Sequence, residues 1–145
     1  MVETAMPPER LEDQLAYLIA GVNRQFEEEL REKLRPQGVP IEQSRVLGLL
    51  ADGQGRPMTE LAEQVFVEPP TLTKIIDRMV AQSLVIRAPD PNDRRRVLIY
   101  ATRRGQALWE KIGGYATEQQ KRVLDRLSPA DLARLTEILR GLIAE

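Results

Sequence analysis

The chain has 145 residues, 42% of them hydrophobic and 30% charged, with a net charge of −1 at pH 7; this suits one hydrophobic core with additional helices and argues against disorder. Cysteine and histidine are both absent, which excludes disulfides, a thiolate redox switch, a Cys/His zinc centre and a nucleophile activated by histidine. The opening MVETAMPPER is acidic without an apolar segment, and clean apolar runs such as Val97–Ala101 fall far short of the ~20 residues a membrane helix needs, so a cytoplasmic protein is expected.

Residues 8–35 carry Leu11, Leu15, Leu18, Ile19, Val22, Phe26, Leu30 and Leu34 at steps of three and four, which predicts one long amphipathic helix. Pro36-Gln37-Gly38-Val39-Pro40 ends it. A short helix is expected over about 41–51, closed by Asp52-Gly53-Gln54-Gly55, and a third starting near Pro57, a residue suited to a first helical turn. Pro69-Pro70 open a fourth through about Gln82, with Leu72, Ile75, Ile76, Met79 and Val80 inward. The period then changes. Leu84-Val85-Ile86 and Arg96–Ala101 are rich in β-branched residues and flank Pro89-Asp90-Pro91-Asn92-Asp93, which reads as a two-stranded hairpin. Helical spacing returns from Arg103 to about Arg126 with an interruption at Gly113-Gly114, and Ser128-Pro129 caps a last helix carrying Leu132, Leu135, Ile138, Leu139, Leu142 and Ile143.

The expected fold is therefore mainly α with a small β-hairpin. A winged helix-turn-helix over 36–104 is flanked by helices at 1–35 and 105–145, whose apolar stripes exceed what one small core covers and predict a homodimer. Charge follows the same division. Residues 68–104 hold eight bases against four acids, whereas residues 1–35 hold five against eight. A polyanion reads local charge rather than the total.

In a helix-turn-helix the second helix enters the major groove of double-stranded DNA. Ala62, Val67, Leu72 and Ile76 suit the close helix crossing, which leaves Pro70, Thr71, Thr73, Lys74, Asp77 and Arg78 on the outer face. The hairpin tip, Asn92-Asp93-Arg94-Arg95-Arg96, concentrates three like charges, for which a narrow minor groove supplies a reason. Strand alternation places Arg94 and Arg96 on one face and Arg95 on the other, with Asp93 available to pair with a neighbouring arginine. Arg87 completes the basic set.

The run Pro70-Thr71-Leu72-Thr73-Lys74-Ile75-Ile76-Asp77-Arg78-Met79 resembles recognition helices of the MarR (multiple antibiotic resistance regulator) family. Leu61-Ala62-Glu63, Leu84-Val85-Ile86-Arg87, Asp90-Pro91-Asn92-Asp93-Arg94-Arg95-Arg96 and Thr102-Arg103-Arg104-Gly105 are similar to that family's preceding helix, wing and following helix. The resemblance implies a two-fold dimer with interlocked terminal helices. It implies Thr71, Thr73, Lys74 and Arg78 near the major groove, and Arg94 or Arg95 in the minor groove. It further implies a repressor released from a palindromic operator by a small ligand, often phenolic or an aromatic acid, for which Tyr17, Arg24, Arg45 and Trp109 are candidates. Phe66 and Ser83 stand where the family commonly has glycine, which opens the backbone at both corners to change. The alternative reading is a winged-helix protein-interaction module that does not touch DNA; a bare arginine tip argues against it. No catalytic group, cofactor or metal is expected, and a DNA-bound repressor would be nucleoid-associated.

Overall fold

The computed structural model describes residues 10–143; the expected helix start at residue 8 and the last two residues of the 105–145 region lie outside them. Among the described residues seven α-helices and three strands follow in chain order: α1 Leu15–Leu34, α2 Ile41–Leu49, β1 Arg56–Pro57, α3 Met58–Val65, α4 Pro69–Ala81, β2 Val85–Asp90, β3 Asp93–Ala101, α5 Arg103–Ile112, α6 Gly114–Leu124 and α7 Pro129–Ile143. The mainly helical winged helix expected from the sequence is what forms.

Two corrections concern its edges. The first helix does not run unbroken to Leu34, because Leu11–Asp13 form a single 3-10 turn and Gln14 is extended (φ −73°, ψ 134°). Gln14 N–H bonds Leu11 O (3.1 Å), the i→i−3 pattern of a 3-10 turn, and α1 then starts afresh with Leu18 N–H on Gln14 O (3.0 Å). Pro57 is not inside a helical turn. It is the extended N-cap of α3 and ends β1, which pairs antiparallel with β3 through Arg56↔Ile99 and Pro57↔Leu98. The hairpin thus becomes a three-stranded sheet of order β1-β3-β2, and proline is tolerated because β1 lies at the edge.

The hairpin itself is longer and tighter than the sequence suggests. Its ladder is regular from Val85↔Ala101 to Pro89↔Val97, then jumps to Asp90↔Asp93. Arg94, Arg95 and Arg96 fall in that jump, without partners in the ladder, so the alternation expected of them has no regular register to rest on.

Leu47, Leu50, Leu61, Leu72, Ile76 and Met79, from α2 to α4, pack with Val85 and Ile99 of the sheet in one buried cluster. Each such side chain is worth about 1.5–3 kcal/mol against leaving it exposed. Two corners hold this core in shape. Val67 N–H donates to Ala62 O (3.1 Å) and Leu84 N–H to Met79 O (2.9 Å), the long-range bonds of helix ends that need a left-handed residue. Phe66 (φ 64°) and Ser83 (φ 61°) supply that conformation. The backbone is therefore the one glycine would adopt, at a cost on the order of 1–2 kcal/mol for each L side chain.

Further on, Thr102 caps α5 by accepting from Gly105 N–H (3.0 Å) and donates to Ser83 O (2.6 Å), which ties the wing root to that helix. α5 and α6 are separated only by Gly113. The Ser128 hydroxyl accepts from Asp131 N–H (3.1 Å), the cap expected at the start of α7. α6 leans on α1 through Gln119 Nε2, which donates to Phe26 O (3.0 Å), and through an ion pair of Arg122 with Glu29. Leu18, Ile19 and Val22 of α1 and Leu135, Ile138 and Leu142 of α7 remain exposed.

Candidate nucleic-acid interface and an aromatic cavity

α4 buries Leu72, Ile76 and Met79 and turns its other faces outward. Proline in its first two positions forfeits only N–H groups that a helix start leaves unpaired anyway. Pro70, Thr71, Thr73, Lys74, Arg78, Arg87, Asp93, Arg94, Arg95 and Arg96 are all exposed. Thr73 donates its hydroxyl to Pro69 O (3.1 Å), leaving the oxygen free to accept. Among the described residues, Lys74, Arg78 and Arg94 have no carboxylate within ion-pairing distance. Unpaired cations facing water are what a phosphate backbone or base edge can take up.

The other bases are positioned by acids. Arg87 on β2 pairs with Asp77 on α4 and so ties the wing to the recognition helix. Arg95 is 94% exposed, yet Asp93 Oδ1 accepts from its backbone N–H at 3.1 Å and lies 3.5 Å from its Nε. Arg96 lies 4.0 Å from Asp90 Oδ2, while Asp90 Oδ1 accepts from Asn92 N–H (2.9 Å) and braces the turn. The wing tip is a charged loop held by its own carboxylates.

A separate cavity of about 480 Å³ opens between α1, α2, the α3–α4 corner, α5 and α6, lined by residues that include Leu30, Arg45, Gly48, Phe66, Trp109 and Gly113. Glycine is required at two places here. A Cβ on Gly48 would lie 2.9 Å from Trp109 Cη2, and one on Gly113 would lie 2.9 Å from Cε2. The indole is clasped between two backbones. Arg45 donates from Nη2 to Glu27 Oε1 (3.0 Å), and Arg31 reaches the other oxygen at 3.4 Å. That hydrogen bond from Arg45 holds the Glu27 carboxyl below its ordinary value of 4.5, against the upward pull of partial burial, with Asn23 and Arg31 adding to the lowering. A guanidinium has five N–H donors, so Arg45 retains capacity for a second carboxylate.

Of the four effector candidates, the structure brings Arg45 and Trp109 together. Tyr17 and Arg24 stand exposed on α1 outside this cavity, Arg24 paired with Glu28 (3.0 Å). Phe66 is the lining residue that sequence reasoning passed over. It stood out only as a non-glycine corner, and its place in the cavity depends on how α3 and α5 each pack on α2.

A helix-turn-helix whose second helix and adjoining β-wing both present cations defines the class: a winged-helix transcriptional regulator. Residues 37–96 match the family model described as MarR family. The multiple antibiotic resistance protein MarR of Escherichia coli (strain K12) is 30% identical over 125 residues, which span 86% of this chain and 87% of that protein. This chain belongs to the MarR family. The crystal structure of the MarR family transcriptional regulator SPO1453 from Silicibacter pomeroyi DSS-3 superposes with a TM-score of 0.82 at 31% identity, over 94% of this chain and 98% of that one. NadR in complex with 4-hydroxyphenylacetate does so with a TM-score of 0.83 at 26% identity, over 95% and 98%. No helix among the described residues is long and apolar enough to cross a membrane.

Proposed function

We propose that this regulator is a homodimeric DNA-binding repressor, released from a two-fold operator by a small aromatic acid. The observation that carries the DNA reading is the set of outward cations without carboxylate partners on one recognition helix and its wing: Lys74, Arg78 and Arg94, with Arg95 beside them. Thr71 and Lys74, near the start of α4, are assigned to base edges, and the wing arginines to the narrow minor groove. The exposed stripes of α1 and α7 are assigned to the partner subunit, which sets two recognition helices about one DNA turn apart. In this reading 36–104 binds DNA while 1–35 and 105–145 dimerise.

The effector site is assigned to the cavity of Arg45 and Trp109, where an aromatic wall and a guanidinium suit a ring bearing a carboxylate. The bound 4-hydroxyphenylacetate of NadR has that chemistry. Binding-site selection with random duplex DNA, followed by titration with aromatic carboxylates, tests both halves. A palindromic consensus that the acids release supports the proposal. Failure to enrich any sequence would sink it and favour the protein-interaction module instead.

A further inference from the structure

Among the described residues no large hydrophobic side chain is more exposed than Phe66, at 75%, and it also sits at a φ of 64°. The corner needs a left-handed backbone, which glycine would provide without strain or an exposed ring. The fold gives no reason for the ring. The cavity does, since Phe66 lines it together with Trp109 and Arg45. We propose that Phe66 is the lever through which an aromatic carboxylate in this cavity acts on the recognition helix, an inference that rests on the effector reading above.

The mechanism follows from where the residue stands in the chain. Phe66 ends α3, Val67 N–H closes the corner onto Ala62 O (3.1 Å), and α4 begins at Pro69. Any change in the φ and ψ of Phe66 redirects the start of α4, and with it Thr71 and Lys74. Phe66 lines the cavity with its ring largely in water, so an aromatic ligand seated against the indole covers more of that ring in whichever backbone state of the corner brings it nearer. The ligand then contacts one state of the corner better than the other, and that difference is what coupling requires. A strained, exposed residue at a switch point is where such a two-state element is expected.

Trp109 is the single tryptophan of the chain, so its fluorescence reports cavity occupancy without reference to DNA. Wild type, Phe66→Ala, Phe66→Gly and Phe66→Tyr are titrated with 4-hydroxyphenylacetate, benzoate and salicylate. Affinity for the DNA site recovered by selection is then measured with and without saturating acid. Wild type and Phe66→Tyr should lose DNA affinity at least about fivefold on saturation, the lower end of ordinary allosteric coupling. Phe66→Ala and Phe66→Gly should lose less than about twofold, although their indole still responds at higher acid concentration. Phe66→Gly should also melt no lower than wild type, because the ring supports no core; a clear drop would assign the ring to structure and overturn the lever. Coupling that survives intact in Phe66→Ala and Phe66→Gly overturns the lever and leaves the effector cavity standing. A wild-type indole that responds to none of the acids overturns both.

Discussion

The recognition helix and the terminal helices carry similar apolar stripes and treat them in opposite ways. α4 buries Leu72, Ile76 and Met79 within its own chain, whereas α1 and α7 leave Leu18, Ile19, Val22, Ile138 and Leu142 exposed. The core is built mostly from the middle of the molecule, with Leu34 of α1 and Ile112 of α5 reaching into it. The stripes of α1 and α7 stay open in the single subunit, which is what the proposed pairing with a second copy requires.

The sharpest way to break that contrast is to disturb each side. Ile76→Ala should lower the unfolding free energy by about 2–5 kcal/mol in denaturant titrations, the cost of a cavity in a closed core. Ile138→Glu with Leu142→Glu should leave helix content nearly unchanged in circular dichroism. Sedimentation at micromolar concentration should then show the 16.5 kDa subunit where the unsubstituted chain sediments as a dimer, because an unpaired carboxylate is costly to bury in an interface. A variant that stays dimeric would move the interface away from α7.

Smaller effects sharpen the picture within the subunit. Asp77→Ala frees Arg87 from the recognition helix, and since the pair is exposed the loss of stability should stay under about 1 kcal/mol. Its larger signature should be a change in spacing preference between half-site core and flank in binding-site selection. Glu27 gives the smallest effect. Its carboxyl titrates lower in the folded chain than the ordinary 4.5, so the stability it adds is present above pH 4.5 and disappears as pH falls through the lower folded value. The stability difference between wild type and Glu27→Gln should be under about 1 kcal/mol at neutral pH, shrink as pH falls below 4.5 and vanish only below the lower folded value. A difference that grows on acidification would contradict the sign.

Much of this architecture was legible because local chemistry and periodicity agreed. Pro69-Pro70 opened α4 as expected, Ser128 capped α7, and β-branched runs around Pro91-Asn92 made the wing. What escaped depended on contacts between distant segments. β1 has two residues and exists only through Ile99 and Leu98, so no window around Arg56 reveals it. The break at Gln14 is a matter of its extended backbone, which separates the 3-10 turn from α1 and which apolar periodicity does not register. At the site, residue types announced the exposed bases, and Arg45 and Trp109 met in one cavity. Tyr17 and Arg24 did not join them, because α1 presents those positions to solvent in the single subunit. The left-handed corners at Phe66 and Ser83 were marked by the sequence only as places where glycine was missing. That they keep the glycine-like backbone is set by the bonds to Ala62 and Met79 that close the two helix ends.

The central claim is that the cations of α4 and the wing bind the DNA backbone and grooves. The direct measurement is affinity for the selected duplex from low to physiological salt, for wild type and for Lys74→Ala, Arg94→Ala and Arg95→Ala. Log affinity should fall steeply with log salt, each phosphate contact adding about −0.9 to the slope. Lys74→Ala should change preference within the half-site core, losing about 1–3 kcal/mol at one base position, while Arg95→Ala relaxes preference at A·T-rich flanks. Affinity that is flat with salt and indifferent to all three substitutions would contradict the account and return the arginine cluster to a solvated charge run.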